Sequence, residues 1–140
     1  MRICIDSCVF INGFTEADPA AVRLLDLVGP DLVLVVPRLV AQEVTRNLRT
    51  PDQVRRFMGL FHQSPFAFLV DDLAPRALVE DYVHKGLPEK ADAFIGAFAE
   101  WMQARYLISD NRHFLRDLQT TAFQVLDPTQ FLAIWEAGNA

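Results

Sequence analysis

Four short, mainly apolar runs, separated by longer segments with helical periodicity, limit most strongly what this chain can fold into. Such runs lack the alternation of apolar and polar residues that a strand with one solvent-exposed face shows, so both of their faces are expected to be covered. The four predicted strands are Ile3–Ile5, Leu32–Val36, Tyr106–Ser109 and Phe123–Leu126. Strands of this kind that alternate with helices predict a parallel sheet with helices on both sides.

The segments between these strands carry helix signals. Asp18 and Pro19 form a cap followed by a proline at the first helical position, and Pro37 and Pro88 start further helices. We predict helices over residues 18–28, 37–48, 52–62, 75–84, 88–105, 111–118 and 128–136. The chain is therefore predicted to be one α/β domain, residues 1–140. Its fold class is a single three-layer α/β/α sandwich around a short central parallel sheet of four to five strands.

The composition favours a soluble, intracellular protein. Hydrophobic residues make up 51% of the chain, and no run reaches the roughly 18 apolar residues of a membrane helix. Asp6 falls where a signal peptide needs its apolar stretch, so we expect a cytoplasmic location and no membrane partner. The two cysteines, Cys4 and Cys8, have no second Cys or His pair at zinc spacing, which argues against a zinc site.

The net charge of −5 disfavours nucleic-acid binding at first sight. Two considerations weaken that objection. A metal site contributes negative charges that its ions neutralise, and Arg46, Arg49, Arg55 and Arg56 place four cations against Asp52. A solvated helix face explains any single one of these arginines equally well.

Four acidic residues stand far apart in the chain, each where burying a charge is costly: Asp6, Glu43, Asp92 and Asp110. Asp6 and Asp110 follow predicted strands, and Glu43 lies about two turns into the helix after the second strand. Ligands of parallel α/β sheets bind outside the carboxyl ends of the strands, so topology alone brings these three to one edge. Converging carboxylates need a compensating cation, and a bound divalent metal is the simplest one.

Asp92 belongs to a helix that is apolar nearly all round, which predicts a central position for that helix. It shares a helix face with Ile95 and Ala99, so its side chain is expected to point inward or into a cleft. Its place four residues after Pro88 also suits an acid that interacts with the helix dipole. Both interpretations stay open on the sequence.

Five segments match a known pattern in chain order. Ile3–Phe10 is a strand that ends in Asp, and Val36–Val44 is a Pro-started helix that carries a Glu. Ala91–Ala99 is an Asp followed by a small, apolar helix, Leu107–Phe114 places a Ser before polar residues, and Val125–Phe131 is a closing strand and helix. Together they resemble the PIN-domain nucleases, and within them the VapC-type toxins of bacterial and archaeal toxin–antitoxin pairs.

The fourth motif departs from the commonest pattern of that family. Aligned on Ser109, the usual acid two residues later falls on Asn111, and a frequent second Asp falls on His113. Asn does not supply a full negative charge, whereas Asp110 lies one residue earlier. The fourth acidic position is therefore open between Asp110 and Asn111.

The resemblance implies a Mg²⁺- or Mn²⁺-dependent endoribonuclease that acts on RNA as a toxin, is inhibited by a small cognate antitoxin protein, and forms a homodimer. It implies Asp6 and Asp92 as the principal metal ligands and Glu43 as a direct or water-mediated ligand. Asp110 or Asn111 would complete the ligand shell. Four auxiliary residues are candidates to hydrogen-bond a ligand or to contact a phosphate: Ser7, Ser109, Arg112 and His113.

Other functions have less support in the sequence. One alternative is a PIN-like module that binds RNA or a protein without cutting. An aspartyl-phosphate phosphatase would need a second Asp where Cys8 stands, and the late lysine of a receiver domain is missing. Three scattered histidines give no triad. Four phenylalanines are predicted to lie in the core or on a dimer or partner surface rather than to stack on bases: Phe57, Phe61, Phe66 and Phe68.

Overall fold

The computed structural model describes residues 1–138, and within them the chain forms five β-strands, seven α-helices and one π-helical turn. The strands are β1 Arg2–Ile5, β2 Val33–Pro37, β3 Ala67–Val70, β4 Tyr106–Ile108 and β5 Gln124–Leu126. The helices are α1 Ser7–Phe14, α2 Pro19–Asp26, α3 Arg38–Asn47, α4 Pro51–Gln63, α5 Arg76–His84, α6 Lys90–Trp101 and α7 Pro128–Glu136, and the π-helical turn is His113–Asp117. The predicted domain of residues 1–140 includes 139 and 140, which lie outside the described residues.

All five strands are parallel and lie in the order β3-β2-β1-β4-β5. The chain moves outward from β1 through β2 to β3 and then returns to the other side of β1 for β4 and β5. Because crossover connections are right-handed, this reversal places α1 to α4 on one face of the sheet and α5 and α6 on the other. The prediction of a three-layer α/β/α sandwich is confirmed, and the sheet switches direction between β1 and β4.

The sequence prediction missed one strand and shifted several helix ends. The edge strand β3 was not predicted, because only Ala67 of its four residues is buried, and it therefore lacks the pattern of a covered strand. The predicted helix 88–105 ends at Trp101, and the predicted helix 111–118 is instead the π-helical turn. Within residues 1–138, no helix combines the length and apolarity needed to cross a membrane.

Aromatic packing fixes α4 against α1. Phe57 is fully buried, and its ring meets those of Phe10, Phe14 and Phe61 edge to face at centroid distances of 5.3 to 5.7 Å. Each such pair contributes about 0.5 to 1.5 kcal/mol beyond the area it buries. The predicted core position of Phe57 is confirmed, whereas Phe68 on β3 is 50% exposed.

The helix α6 occupies the central position that its apolar sequence predicts. Six of its residues are buried: Ala93, Ile95, Gly96, Ala97, Phe98 and Ala99. Gly96 allows close contact with α5, because a Cβ atom there would lie 2.7 Å from the Tyr82 ring. This packing sets the position of Asp92 in the first turn of α6.

Candidate metal centre at the edge of the sheet

Asp6 is held at the switch point of the sheet by both β1 and β4. Its backbone N–H donates to the carbonyl oxygen of Ile108 on β4 (2.9 Å), and its side chain caps α1 by accepting from the N–H of Ser7 (2.8 Å). The other carboxylate oxygen accepts from the hydroxyl of Ser109 (2.9 Å). Because Asp6 is only 5% exposed, burial raises its pKa. The hydrogen bonds lower the pKa, and the nearby charges of Glu43 and Asp92 raise it further.

Ser109 connects Asp6 to the segment after β4. The side chain is fully buried, and its oxygen also accepts a hydrogen bond from the backbone N–H of Asn111 (2.9 Å). Ser109 therefore hydrogen-bonds Asp6, whose role as a metal ligand stays a prediction. Ser7 is also buried, and its N–H serves Asp6.

Glu43 and Asp92 reach the same place from opposite layers of the sandwich. Both are half-buried, and together with Asp6 they border a cavity of about 350 Å³ above the ends of β1 and β4. Burial raises the pKa of Asp92, the charges of Glu89 and Glu43 raise it further, and His113 and Asn111 lower it. The structure therefore brings all four predicted acids to one cavity, three of them at least half-buried and Asp110 exposed. Asp92 also occupies the first turn of α6, so the helix dipole acts on it as well.

Asp110 and Asn111 differ in the neighbours they meet. Asp110 borders the same cavity but is exposed, and its pKa is raised by partial desolvation and by the charges of Asp18 and Asp127, while Asn12 lowers it. Asn111 is half-buried and close enough to Asp92 to lower the pKa of that carboxyl group. Of the two candidates for the fourth position, Asn111 thus lies beside the predicted ligands, and Asp110 faces other acids.

Arg112 and His113 follow the cavity residue Asn111 in the chain, but neither lines the cavity; Arg112 precedes the π-helical turn and His113 begins it. Both are exposed, and Arg112 forms no ion pair within residues 1–138. His113 Nδ1 lies 3.0 Å from the carboxylate of Asp117, and the backbone N–H of His113 donates to the side-chain oxygen of Asn111 (3.0 Å). The turn therefore fixes Asn111 and His113 relative to each other.

Solved structures with the same architecture come from toxin–antitoxin proteins. A chain of VapBC2 from Rickettsia felis bound to a DNA fragment from their promoter matches with a TM-score of 0.66 and 12% identity, over 91% of this chain and 98% of that one. A toxin–antitoxin complex from Klebsiella pneumoniae matches with a TM-score of 0.64 and 16% identity, over 90% of this chain and 97% of that one. VapBC-1 from nontypeable Haemophilus influenzae matches with a TM-score of 0.60 and 18% identity, over 92% of this chain and 99% of that one. The chain has a PIN-like fold. No protein-family model and no curated protein matches the chain, and identities of this size establish the fold alone.

The PIN-like domain has one titratable cavity residue that the sequence interpretation did not assign to the site. Cys8 borders the cavity, and its Sγ lies 3.7 Å from the second carboxylate oxygen of Asp6, near enough for the thiol to donate a hydrogen bond. Burial, together with the charge of Asp6, raises the pKa of Cys8 to about 11, so the thiol is protonated at neutral pH. The position of Cys8 in the sequence could have indicated this contact, because Cys8 lies in the first turn of the helix that Asp6 caps.

The donor atoms of the PIN-like domain suit a hydrated hard cation rather than a closed protein cage. Among residues 1–138, no three Asp, Glu, His or Cys side chains lie together closely enough to form a metal-binding group. The cavity nevertheless is lined by the carboxyl-bearing residues Asp6, Glu43 and Asp92, and Asn111 also lines it. Mg²⁺ typically keeps several waters and takes one or two carboxylates, and Mn²⁺ also favours oxygen donors. The residues present therefore fit such an ion.

Proposed function

We propose that this PIN-like domain is a Mg²⁺- or Mn²⁺-dependent endoribonuclease and the toxin of a VapBC-type toxin–antitoxin pair. One observation carries the nuclease proposal: Asp6, Glu43 and Asp92 come from three elements in different layers and border a single cavity at the switch point of the sheet. The toxin proposal is supported by solved structures of toxin–antitoxin complexes, which match this chain over most of its length.

Asp6 and Asp92 would hold the ion, and Glu43 would bind it directly or through water. When bound, such an ion lowers the pKa of its water and neutralises charge that develops on phosphate oxygens. The chain's own residues prepare this arrangement. Ser109 and the N–H of Ser7 fix both oxygens of Asp6 before any ion arrives. Because these hydrogen bonds already hold the carboxylate in one orientation, it would lose little conformational freedom when an ion binds.

The fourth position and the residues after it complete the proposed site. Asn111 would contribute a neutral oxygen or a hydrogen bond to a bound water, and Asp110 would remain outside the ligand set because it faces Asp18 and Asp127. Arg112 and His113, which are exposed and follow Asn111 in the chain, would donate hydrogen bonds to a phosphate of the RNA. A small antitoxin protein would cover this negatively charged cleft, and a cationic side chain is its natural contact there.

A homodimer is part of the proposal, and an apolar surface beside β3 supports it. Leu73 is 71% exposed, and Phe68 and Leu69 are also exposed. Leu73 lines a cavity of about 250 Å³ that reaches Phe94, and β3, which carries Phe68 and Leu69, lies at the edge of the sheet. The same surface holds an exposed ion pair between Arg38 and Asp71, so it offers both charges to a two-fold copy of itself. Light scattering should give the mass of a dimer for the wild type and of a monomer for Leu73→Arg.

The decisive experiment is cleavage of labelled tRNA and single-stranded RNA by the purified protein. Wild type with Mn²⁺ is compared with wild type in EDTA, with Asp6→Asn, and with Asp81→Asn, which removes an exposed acid on α5. Cleavage by wild type and Asp81→Asn in Mn²⁺ alone is the expected result. Cleavage that persists in EDTA or in Asp6→Asn would contradict the proposed chemistry.

A second candidate function is a PIN-like module that binds RNA or protein without cutting. It is favoured by Asn111 at the position of the usual acid, and by the absence, within residues 1–138, of a tight group of three metal-binding side chains. Intact RNA in every reaction, with folded protein that still binds RNA, would establish this candidate in place of the nuclease.

A further inference from the structure

The segment that follows Glu43 carries a local excess of positive charge. Four arginines lie within eleven residues and face only one acid, Asp52, although the whole chain has a net charge of −5. We call this set the arginine strip: Arg46, Arg49, Arg55 and Arg56. All four are exposed. Such a concentration of cations opposes the overall charge of the molecule in the region next to one of the cavity acids.

The arginine strip begins one helical turn from the acidic cavity. Arg46 follows Glu43 by three residues on α3, so the two side chains lie on neighbouring positions of one helix face. The side chain of Asn47 donates to the carbonyl oxygen of Glu43 (2.8 Å), which holds the end of the helix in place. A polyanion that reaches Glu43 along α3 therefore meets Arg46 first.

The rest of the strip is held in position by α4. The backbone N–H of Arg49 donates to the side chain of Gln53 (2.8 Å), and Gln53 also takes part in the capping box of α4. Arg55 and Arg56 directly precede Phe57, whose buried ring anchors α4 on α1. Because Phe57 faces the core, the two arginines are left on the outer surface of a fixed helix.

The ion pairs that the arginine strip forms within the protein are few and exposed to solvent. Asp52 approaches Arg55 at 3.5 Å and Arg56 at 3.3 Å, and all three side chains are at least half exposed. Exposed pairs of this kind are readily exchanged for a better anion. Within the described part of the chain, Arg46 and Arg49 form no ion pair.

We propose that the arginine strip binds the phosphate backbone of single-stranded RNA and directs it into the acidic cavity. This inference rests on the proposed function, since it gives the same site a path for its substrate. Guanidinium groups donate paired hydrogen bonds to phosphate oxygens without reading base identity. The binding is therefore independent of sequence, and it becomes weaker as salt concentration rises.

The first test measures the affinity of a fluorescent 20-nucleotide RNA by anisotropy, in EDTA so that no cleavage occurs, across a salt series. Each lost phosphate contact on a single strand reduces the slope of log K against log salt by about 0.7. Arg46→Gln/Arg49→Gln should therefore lower the slope by about 1.4. The control Arg23→Gln/Arg76→Gln removes two exposed arginines on α2 and α5 and should leave the slope near that of wild type.

A second test works in the opposite direction. Asp52→Asn releases Arg55 and Arg56 from their internal partner and should tighten RNA binding several-fold at low salt. The matched control Glu80→Gln makes the same charge change and releases Arg76 on α5. Equal effects of the two variants would mean that only net charge matters, which overturns the strip.

The outcomes separate this inference from the proposed function. Wild type that cleaves RNA, with strip variants that bind RNA as tightly as wild type, overturns the strip and leaves the nuclease in place. Strip variants that lose RNA affinity in a protein that never cleaves support the strip and overturn the nuclease. Variants that lose affinity for polyglutamate but keep RNA binding assign the strip to an acidic protein segment, and the inference is then wrong.

Discussion

Replacing Asp6 by Asn is expected to stabilise the metal-free PIN-like domain and to remove its response to divalent metal. Asp6 is almost fully buried, and both desolvation and the charges of Glu43 and Asp92 disfavour its ionised form. A buried carboxylate costs several kcal/mol of folding free energy through desolvation. Asn has nearly the same shape, caps helices about as well as Asp, and carries no charge.

The hydrogen bonds of Asp6 oppose this gain in stability. Ser7 and Ser109 donate to its two carboxylate oxygens at 2.8 and 2.9 Å, and each bond to a charged acceptor contributes about 1 kcal/mol more than a neutral one. About 2 kcal/mol of lost bond strength is set against about 3 to 4 kcal/mol of desolvation and repulsion. The free energy of unfolding should rise by about 1 to 2 kcal/mol, or about 3 to 8 °C in Tm.

Thermal unfolding followed by circular dichroism at pH 7.5 measures both effects. In EDTA, Asp6→Asn should unfold at a higher temperature than wild type, and the exposed-acid control Asp81→Asn should match wild type. At a Mn²⁺ concentration ten times its Kd, wild type should gain about 1.4 kcal/mol, whereas Asp6→Asn should gain none. A variant less stable than wild type in EDTA would refute the charge-burial argument. A variant that still responds to Mn²⁺ would remove Asp6 from the ligands.

The raised pKa of Asp6 also predicts the direction in which the stability of the metal-free protein changes with pH. Folding raises the pKa of Asp6 above its ordinary value of 3.8, so the folded state binds a proton more readily than the unfolded state does. This contribution to stability is fully present below pH 3.8 and is lost as pH rises through the folded pKa. Metal-free wild type should therefore lose more stability over that window than Asp6→Asn, and equal losses would contradict the raised pKa.

Three further predictions concern the surroundings of the site. Ser109→Ala should lower the free energy of unfolding in urea by about 1 to 2 kcal/mol, because Asp6 loses a buried donor; an unchanged midpoint would contradict this. Gly86→Ala should cost at least about 2 kcal/mol in the same assay, since φ is +112° and a Cβ atom would lie 2.1 Å from a backbone oxygen. Gly59→Ala, in open helix surface, is its control and should not destabilise. Alkylation of Cys8 by iodoacetamide should be slow at pH 7.5 and accelerate toward pH 11, whereas fast labelling at neutral pH would contradict the raised pKa.

The sequence predicted the layers of this fold well, because they depend on local patterns. The four mainly apolar runs became β1, β2, β4 and β5, and the proline-marked helix starts at Pro19 and Pro37 are within one residue of the observed ones. The edge strand β3 escaped prediction because an uncovered strand has no buried pattern. Its Phe68 and Leu69 are exposed on opposite faces of the strand.

The sequence predicted which acidic residues meet at the site, but it did not predict which charged residues surround each of them. Strand ends and helix faces brought Asp6, Glu43 and Asp92 to one cavity, as topology required. The choice between Asp110 and Asn111 depended on the backbone turn after Ser109, where a shift of one residue turns a side chain toward different acids. Local propensity does not determine such a turn, because the Ser109 hydroxyl that accepts from the N–H of Asn111 is itself bound to Asp6, 103 positions away.

The bond between Ser109 and Asp6 joins residues that are 103 positions apart, and it has a consequence for the timing of synthesis. At about 5 to 20 residues per second, a ribosome adds Ser109 roughly 5 to 20 seconds after Asp6. During that interval the growing chain has the acids of β1 and α3 but lacks β4, the strand that supports Asp6. The proposed nuclease would therefore be inactive during that interval, and the proposed antitoxin would have those seconds in which to be present before the cleft forms.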